Sequence, residues 1–547
     1  MHTVFDFAAK RAELSPEAIA FEDAGTGRRL TFAAFNARAE RGAAALERLG
    51  VAAGERVAIL CHNTTTFFEV LFACGKAGVI LVPLNWRQTP AELGPILADC
   101  GARLLLHDAA TAPLAAALGA SGDLRLISFA DYEALLAGET LASTVSSPPP
   151  SWGRDREGGM AEHKPSGFPP PLTPPHKGEG NPRTARNTAW PTDRIWYLLY
   201  TSGTTGRPKA VIQTVGMALA NYVNVQQATG LGASDCTVNF LPLFHTAGIN
   251  LHTLPLFLAG GTSTVLPKFE VGPLLDLIEQ DRVSILFGVP AIYQALSLDP
   301  RFANAELTRV RHWGCGGAPL SETLIRTFLT KGVRVCNGMG MTETGPTVFL
   351  MDPPHAVEKI GSVGKPQLLS EVRLVDASGR DVKDGEQGEL LFRGPNITPG
   401  YFNNPEATAA AIDRDGWLHS GDVGRRDADG YYYIVDRIKD MYISGGENVY
   451  PAEVEAVLTG HGAVLEAAVL GVPDERWGEV GHAVIRLRPG AACEAEEIRR
   501  FARTCLAAYK VPRHVTFVDD YPRTAAGKVQ KHILRRSLSP QAGRGSG

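Results

Sequence analysis

The 547-residue chain contains no run of about 18 apolar residues, so it offers no helix able to cross a membrane. It also lacks a surplus of positive charge. Lysine and arginine total 54 against 58 aspartates and glutamates, a formal net charge of -4 with a sequence pI near 6.4. That balance gives no bulk electrostatic basis for binding nucleic acid or an anionic membrane, and Arg535 and Arg536 read as a short solvated tail. The opening residues, MHTVFDFAAKRAELSP, mix acids and bases within a dozen positions and are not expected to act as a secretory signal. The eight cysteines, at 61, 74, 100, 236, 315, 336, 493 and 505, form no C-x-x-C pair and no zinc-type spacing. They are expected to be buried thiols in a reducing compartment, which points to the cytoplasm. What is present is ordinary: 44% apolar and 20% charged residues, the balance of a globular protein long enough for two to four domains.

The first part alternates β-rich apolar runs with amphipathic stretches of helical length. ERVAIL (55–60), VILVPLN (79–85) and ARLLLHD (102–108) predict strands. FFEVLFACGKAG (67–78) and PAELGPILADCG (90–101) predict helices, the second with Pro90 in its first turn. This alternation predicts parallel α/β layers, and it returns in VSILFGVP (283–290) and TRVRHWGCGGAPL (308–320). Between the two blocks, residues 146–188 hold ten prolines and almost no aliphatic side chains, the composition of a disordered insertion without chemistry. From about Val372 the pattern becomes β-rich. Beyond Asp436, a tail of about 110 residues suits a separate small α+β domain, with the boundary at DRIKD, 436–440.

Several stretches carry residue types suited to phosphate chemistry. YTSGTTGRPKAV (200–211) combines hydroxyls, flexible glycines and one lysine, a set that can turn backbone N–H groups and charge toward an anion. It is not the G-x-x-x-x-G-K-[ST] loop, and taken alone it could be a surface turn. NGMGMTETG (337–345) holds Thr342 and Glu343 between glycines, able to contact a phosphate and ligate Mg²⁺, or simply to turn the chain. GWLHSGDVG (416–424) places Asp422 in what reads as a glycine-flanked turn. It could take both hydroxyls of a ribose or merely stabilise that turn. DRIKDMYISGGENVYPAEVE (436–455) has a charged knot, two glycines and a helix opened by Pro451. PRTAAGKVQK (522–531) presents Lys528 on a glycine-containing loop.

In this order and at these separations the motifs resemble the adenylate-forming superfamily of acyl-CoA synthetases, luciferases and peptide-synthetase adenylation domains, over about residues 5 to 535. The resemblance implies a large α/β N-terminal domain with parallel layers and a β-rich subdomain (1–435), a hinge (436–440), and a small mobile α+β domain (441–547). It implies an acid–CoA ligase that uses ATP, Mg²⁺ and CoA: a carboxylate becomes acyl-AMP with release of pyrophosphate, then a thiol displaces AMP. Thr201, Ser202, Gly203, Thr204, Thr205, Gly206 and Lys209 would hold the β- and γ-phosphates. Glu343 would ligate Mg²⁺ and Thr342 would bond the α-phosphate. Gly316, Gly317, Ala318 and Asn337 would border the adenine and the reacting carboxylate, and Met339 stands where the family usually has an aromatic residue over the adenine. Asp422 would take the ribose, helped by Arg437. Lys528 would bridge the carboxylate and α-phosphate, then be exchanged, by rotation about Lys439, for a pantetheine tunnel at Ser444, Gly445 and Gly446.

The stretches matching the acyl pocket are FHTAGIN, GVPAIY, GCGG and GPTVF, with His245, Gly248, Val289, Gly314 and Gly340 as pocket residues. None contains lysine or arginine, which disfavours a second carboxylate on the substrate. The expected acid is a medium- or long-chain aliphatic one, since no phenol-binding polar pair stands out, with an aryl acid of the coumarate or benzoate type as the alternative. A stand-alone enzyme loading a carrier protein, a luciferase-like oxygenase and a silent nucleotide-binding relative are competing readings, and a homodimer is left open.

Overall fold

The computed structural model describes residues 2–139, 189–202, 208–524 and 527–538, so the proline-rich segment 146–188 lies outside the described residues. The helix Thr65–Ala77 shows how the sequence builds the first layer. The Thr64 hydroxyl accepts from the Thr66 amide at its start, and Gly78 ends it in the left-handed conformation, φ 71°. Every residue from Thr65 to Gly75 is buried, because Phe67, Phe68, Val70, Leu71 and Phe72 leave no polar face to present to water. One carboxylate lies within it. Glu69 is fully buried and held by Arg28 and by Arg38, whose Nε stands 2.7 Å from it. Burial raises the pKa of Glu69, and the two guanidiniums oppose that shift.

The parallel α/β layers expected around this helix are present, and each sheet adds antiparallel strands to its parallel ones. In the first, six strands run in the order Pro208–Thr214, Ile195–Ser202, Ile80–Pro83, Arg56–Leu60, Leu104–His107, Arg125–Ser128. The last five are parallel, but Pro208–Thr214 returns antiparallel on Ile195–Ser202. The two strands pair antiparallel because only the five residues 203–207 separate them, too few for the crossover that a parallel pair needs. A second sheet packs Cys236–Asn239, Thr262–Val265 and Ile19–Asp23 in parallel and adds Arg29–Thr31 antiparallel. A third begins with parallel Ile285–Gly288, His312–Cys315 and Val335–Gly340, then continues as six antiparallel strands through Thr347–Leu350 to Glu371–Val375.

Strand Tyr432–Arg437 belongs to this third sheet, whereas Tyr442–Ser444 already belongs to the five-stranded sheet of the C-terminal unit. In that unit Val464–Asp474 and Gly478–Leu487 form a long antiparallel pair, and helices Pro451–Thr459 and Ala495–Cys505 bury Val454, Leu458, Ile498 and Ala502 against it. All eight cysteines are free, and five are buried as expected. Cys236 and Cys493 are half-buried and Cys505 is exposed, so those three depart from the expectation. No helix among the described residues is long and apolar enough to cross a membrane.

Removing the Glu69 carboxylate would strand two arginines beside a dry helix. Glu69→Ala is expected to cost about 3 kcal/mol of stability, and Glu69→Gln less, measured as the shift in denaturant midpoint.

Candidate active site

Three parallel strands deliver the large-domain half of the site. Ile285–Gly288, His312–Cys315 and Val335–Gly340 end side by side, and ligands of open α/β sheets bind outside such carboxyl ends. Their continuations are Val289, Gly316–Gly317 and the 3₁₀ turn Thr342–Thr344. Side chains are excluded at the glycines. A Cβ on Gly316 would lie 2.9 Å from Phe287 Cζ and 3.0 Å from the Gly338 carbonyl, and one on Gly314 would lie 2.8 Å from Phe287 Cδ2. Gly317 needs its left-handed φ of 82°, with Val289 Cγ1 and Lys528 Cε 3.5 and 4.0 Å from where its Cβ would be. Ala318 beside it is exposed, and Asn337 pairs in register with Cys315.

The expected metal-binding carboxylate is held in place by its surroundings. Glu343 is buried, its Oε1 accepts from the Tyr401 hydroxyl at 3.0 Å, and its carbonyl accepts from the Thr398 amide at 2.8 Å. Burial and the neighbouring Glu343 charge raise the Tyr401 pKa, so the phenol stays a donor. On the same phenol, Lys209 Nζ lies 5.0 Å from the ring centroid, a cation–π distance. Thr342 is fixed through its carbonyl, which accepts from Gln213 Nε2 at 2.9 Å. The Tyr401 hydroxyl, the Glu343 carboxylate and the Lys209 ammonium therefore converge from three separate segments.

Asp422 corrects the sequence expectation in one respect. It lies within strand Leu418–Arg426 rather than in a turn, because Tyr432–Arg437 pairs alongside and sets Asp422 opposite Arg437. Arg437 Nε is 3.2 Å from its Oδ1. Burial raises the Asp422 pKa, opposed by the charges of Arg437, Lys528 and Lys439.

Lys528 comes from the small domain on a hydrogen-bonded turn. Its amide donates to Thr524 Oγ1 at 3.1 Å, its carbonyl accepts from the Thr524 amide at 2.7 Å, and the Gly527 amide donates to the Thr524 carbonyl at 2.8 Å. The ammonium loses hydration there, and burial is the main cause of a pKa lowered to about 8. Arg437 and Lys439 push it the same way, while Asp422 and Glu343 oppose the shift. His245 stands near this charge. Its Nε2 is buried without a hydrogen-bond partner, and burial, with Lys528 and Arg87, lowers its pKa to about 4. The imidazole is neutral near physiological pH.

Other expected residues lie elsewhere. Ser444 pairs with Gly478 on the small domain, and the Gly445 amide donates to the Trp477 carbonyl. A Cβ on Gly445 would lie 2.7 Å from the Trp477 ring, so the neighbours of the expected tunnel loop belong to the small domain while Lys528 faces the large one. Lys439 is exposed in the turn following Arg437. Gly248 and Gly340 are required by close backbone packing: a Cβ would strike the Pro242 carbonyl at 2.4 Å and the Pro346 carbonyl at 1.6 Å. Met339 is half-buried and packs against the cluster of Val348, Phe349, Phe392 and Tyr432, with Phe349 as its register partner. Thr201 lies in the strand before the glycine-rich loop, and Ser202 ends that strand. Gly203, Thr204, Thr205 and Gly206 lie outside the described residues.

Two residues of the site were not anticipated. Tyr401 follows Pro399 and Gly400 in a stretch that reads as an ordinary turn, and Gln213 sits in an apolar strand where a buried amide must have a partner. That second signal was legible as a lone amide after Val211 and Ile212, and the structure buries it to 1% exposure.

The fold and these groups define a nucleotide-using enzyme of two domains. Residues 8–402 match the family model described as AMP-binding enzyme, and residues 453–528 match that of the AMP-binding enzyme C-terminal domain. The chain belongs to this adenylate-forming family, in its acyl-CoA synthetase branch. It is 42% identical to a feruloyl-CoA synthase of Amycolatopsis sp over 527 residues, covering 96% of this chain and 97% of the relative. It is 34% identical to the long-chain-fatty-acid–CoA ligase FadD13 of Mycobacterium tuberculosis, covering 97% of each. Among solved structures it resembles the o-succinylbenzoate CoA synthetase (MenE) of Bacillus subtilis in complex with the acyl-adenylate OSB-AMP. That likeness has a TM-score of 0.82 at 29% identity and covers 100% of both chains.

Tyr401→Phe deletes one hydrogen bond to a buried carboxylate and should lower kcat/KM for pyrophosphate release about tenfold, with the melting temperature little changed. Because the ammonium of Lys528 is the form that can meet anions, kcat/KM for the same half-reaction should fall as pH rises through about 8. A pH–rate profile of the free enzyme reads that limb directly.

Proposed function

We propose that this acid–CoA ligase activates an aryl acid of the hydroxycinnamate class, rather than the aliphatic acid that sequence reading favoured. The ligase activity itself follows from the family, with ATP, Mg²⁺ and CoA as its co-substrates and ion. The observation that carries the aryl reading is the 42% identity, across nearly the whole chain, to a relative named feruloyl-CoA synthase. An indoleacetate–CoA ligase of Aromatoleum aromaticum, at 36% over 94% of each chain, supports it, since its named acid is also aromatic.

The chain's own residues supply three physical effects. Lys528 places a poorly hydrated ammonium over Gly317, where two anions, a carboxylate and an α-phosphate, would otherwise repel each other. A preorganised cation in a dry site acts far more strongly than one in water. Asp422, already aligned by Arg437, offers an acceptor for a diol such as a ribose. Glu343 presents a buried, oriented carboxylate, the hard oxygen donor that Mg²⁺ requires. When bound there, the ion would offset phosphate charge. His245, held neutral, keeps a second full positive charge away from Lys528 and presents an unpaired nitrogen toward the buried space around it.

Thioester formation asks for a different arrangement, because Lys528 occupies the space over Gly317 that the thiol must reach. We infer that the small domain turns about the segment 436–440, withdrawing Lys528 and bringing up Ser444–Gly446. Lys528→Ala is expected to reduce acid-dependent pyrophosphate release at least a hundredfold, while CoA consumption from pre-made acyl-adenylate stays within about threefold. Loss of both half-reactions together would overturn the two-arrangement account. A panel of ferulate, 4-coumarate, indoleacetate, octanoate and palmitate, assayed with and without CoA, tests the substrate class. The highest kcat/KM is expected among the hydroxycinnamates, and a maximum at a fatty acid would reject the aryl reading.

A further inference from the structure

Two buried imidazoles stand behind the glycine-walled strand of the site, and each has a nitrogen with no hydrogen-bond partner: Nδ1 of His252 and Nε2 of His312. Their ring centroids are 6.1 Å apart. Burial is the main cause of pKa values lowered to about 3 and about 4, so both rings are neutral and each keeps one lone-pair nitrogen. Native proteins leave few buried polar atoms unpaired, so two side by side call for a hydrogen-bonding partner, a water or a ligand group, beside them.

The pair is close to the chemistry. His312 and Gly314 alternate along the strand His312–Cys315 and so share one face, which Gly316 continues just past the strand's end. Phe287 is the register partner of Gly314, and its ring fills the space that both glycines leave open. The His252 ring meets Phe287 edge-on at 5.9 Å, and His312 Nε2 lies 3.6 Å from where a Gly314 Cβ would be. His252 and Phe287, with Leu241, Ala247 and Leu251, line a cavity of about 10 Å³, about the space of one water. A single aromatic ring therefore separates the wall beneath Lys528 from a small chamber that His252 lines and behind which His312 stands, its ring 6.1 Å from that of His252. From Gly316 to His312 the strand covers about 13 Å at about 3.3 Å per residue, which suits an elongated acid.

We propose that this chamber is the distal end of the acyl pocket, and that His252 and His312 select a phenolic hydroxyl at the far end of an aryl acid that enters as the Phe287 ring swings aside. The inference rests on the aryl-acid reading above. A hydroxyl would satisfy nitrogens that an unsubstituted ring or an alkyl end would leave stranded. Sites built to bond a substrate hydroxyl reject the analogue lacking it far more strongly than apolar pockets reject a misfit.

The test compares kcat/KM for pyrophosphate release with 4-hydroxycinnamate and with cinnamate, in the wild-type full chain and in His252→Leu, His312→Leu, His252→Asn and Phe287→Ala. The wild type is expected to prefer the hydroxylated acid at least tenfold. The leucine variants should bring the ratio to within about twofold, mainly by raising KM for 4-hydroxycinnamate, and His252→Asn should recover part of it. Phe287→Ala, which keeps both imidazoles and opens the way to them, should retain the preference and lower KM for 4-hydroxycinnamate. It also serves should the leucine variants fail to fold. Equal losses for both acids, unrelieved by asparagine, would assign the histidines a purely structural role and overturn the proposal. Equal use of both acids by the wild type would overturn it while leaving the aryl reading intact. Turnover of fatty acids with neither aryl acid accepted would overturn both.

Discussion

The site depends on keeping one ammonium in a place where water cannot solvate it well. Lys528 reaches over Gly317 with its charge shared between Asp422 and Glu343 and opposed by Arg437 and Lys439. Apart from Arg437 and Lys439, which share one turn, these partners belong to different segments. The third sheet brings Asp422 and Arg437 into register, the turn after Val335–Gly340 supplies Glu343, and the small domain supplies the lysine. A charge so placed is costly unless all its surroundings are in position together, which ties the orientation of the small domain to the competence of the site. Asp436 reinforces that tie by accepting from the Ala452 amide at 2.8 Å, joining the last strand of the third sheet to the first turn of helix Pro451–Thr459.

Around this charge the protein uses rigid packing to hold polar groups. Tyr401 joins Lys209 and Glu343 through one ring, Gln213 pins the turn that carries Thr342, and Asn396 donates to the carbonyls of Thr344 and Thr347. None of these contacts is strong by itself. Together they fix the carboxylate and the hydroxyl before any ligand arrives, which is the preorganisation that electrostatic catalysis requires. The same economy of space explains the glycines. Gly314 and Gly316 leave room for Phe287, and Gly248 and Gly340 leave room for carbonyl oxygens.

How far the sequence could be read depended on whether a signal was local. The helix at Thr65–Ala77 and the strand at Arg56–Leu60 were legible because apolar runs and caps are written in neighbouring residues. The parallel strands of the first layer were legible in the alternation of strand and helix patterns, but the antiparallel strand at its edge was not. A strand's direction depends on which partner it finds, and Pro208–Thr214 folds straight back on Ile195–Ser202. Asp422 was read as a turn residue from its flanking glycines. Pairing with Tyr432–Arg437 drew it into a strand, and that pairing is not encoded locally. Tyr401 went unnoticed because its role exists only through contact with Glu343, 58 residues away.

The sequence alone determined the chemistry on offer: which hydroxyls, carboxylates and lysines exist, and in what order. Their order identified a family whose members activate carboxylic acids with ATP. Tertiary structure decided which of those groups meet, which charges lose their water, and which buried nitrogens lack a partner. Protonation and selectivity belong to that second set, because burial and the distances between distant segments produce them, and neither quantity belongs to any single stretch of chain.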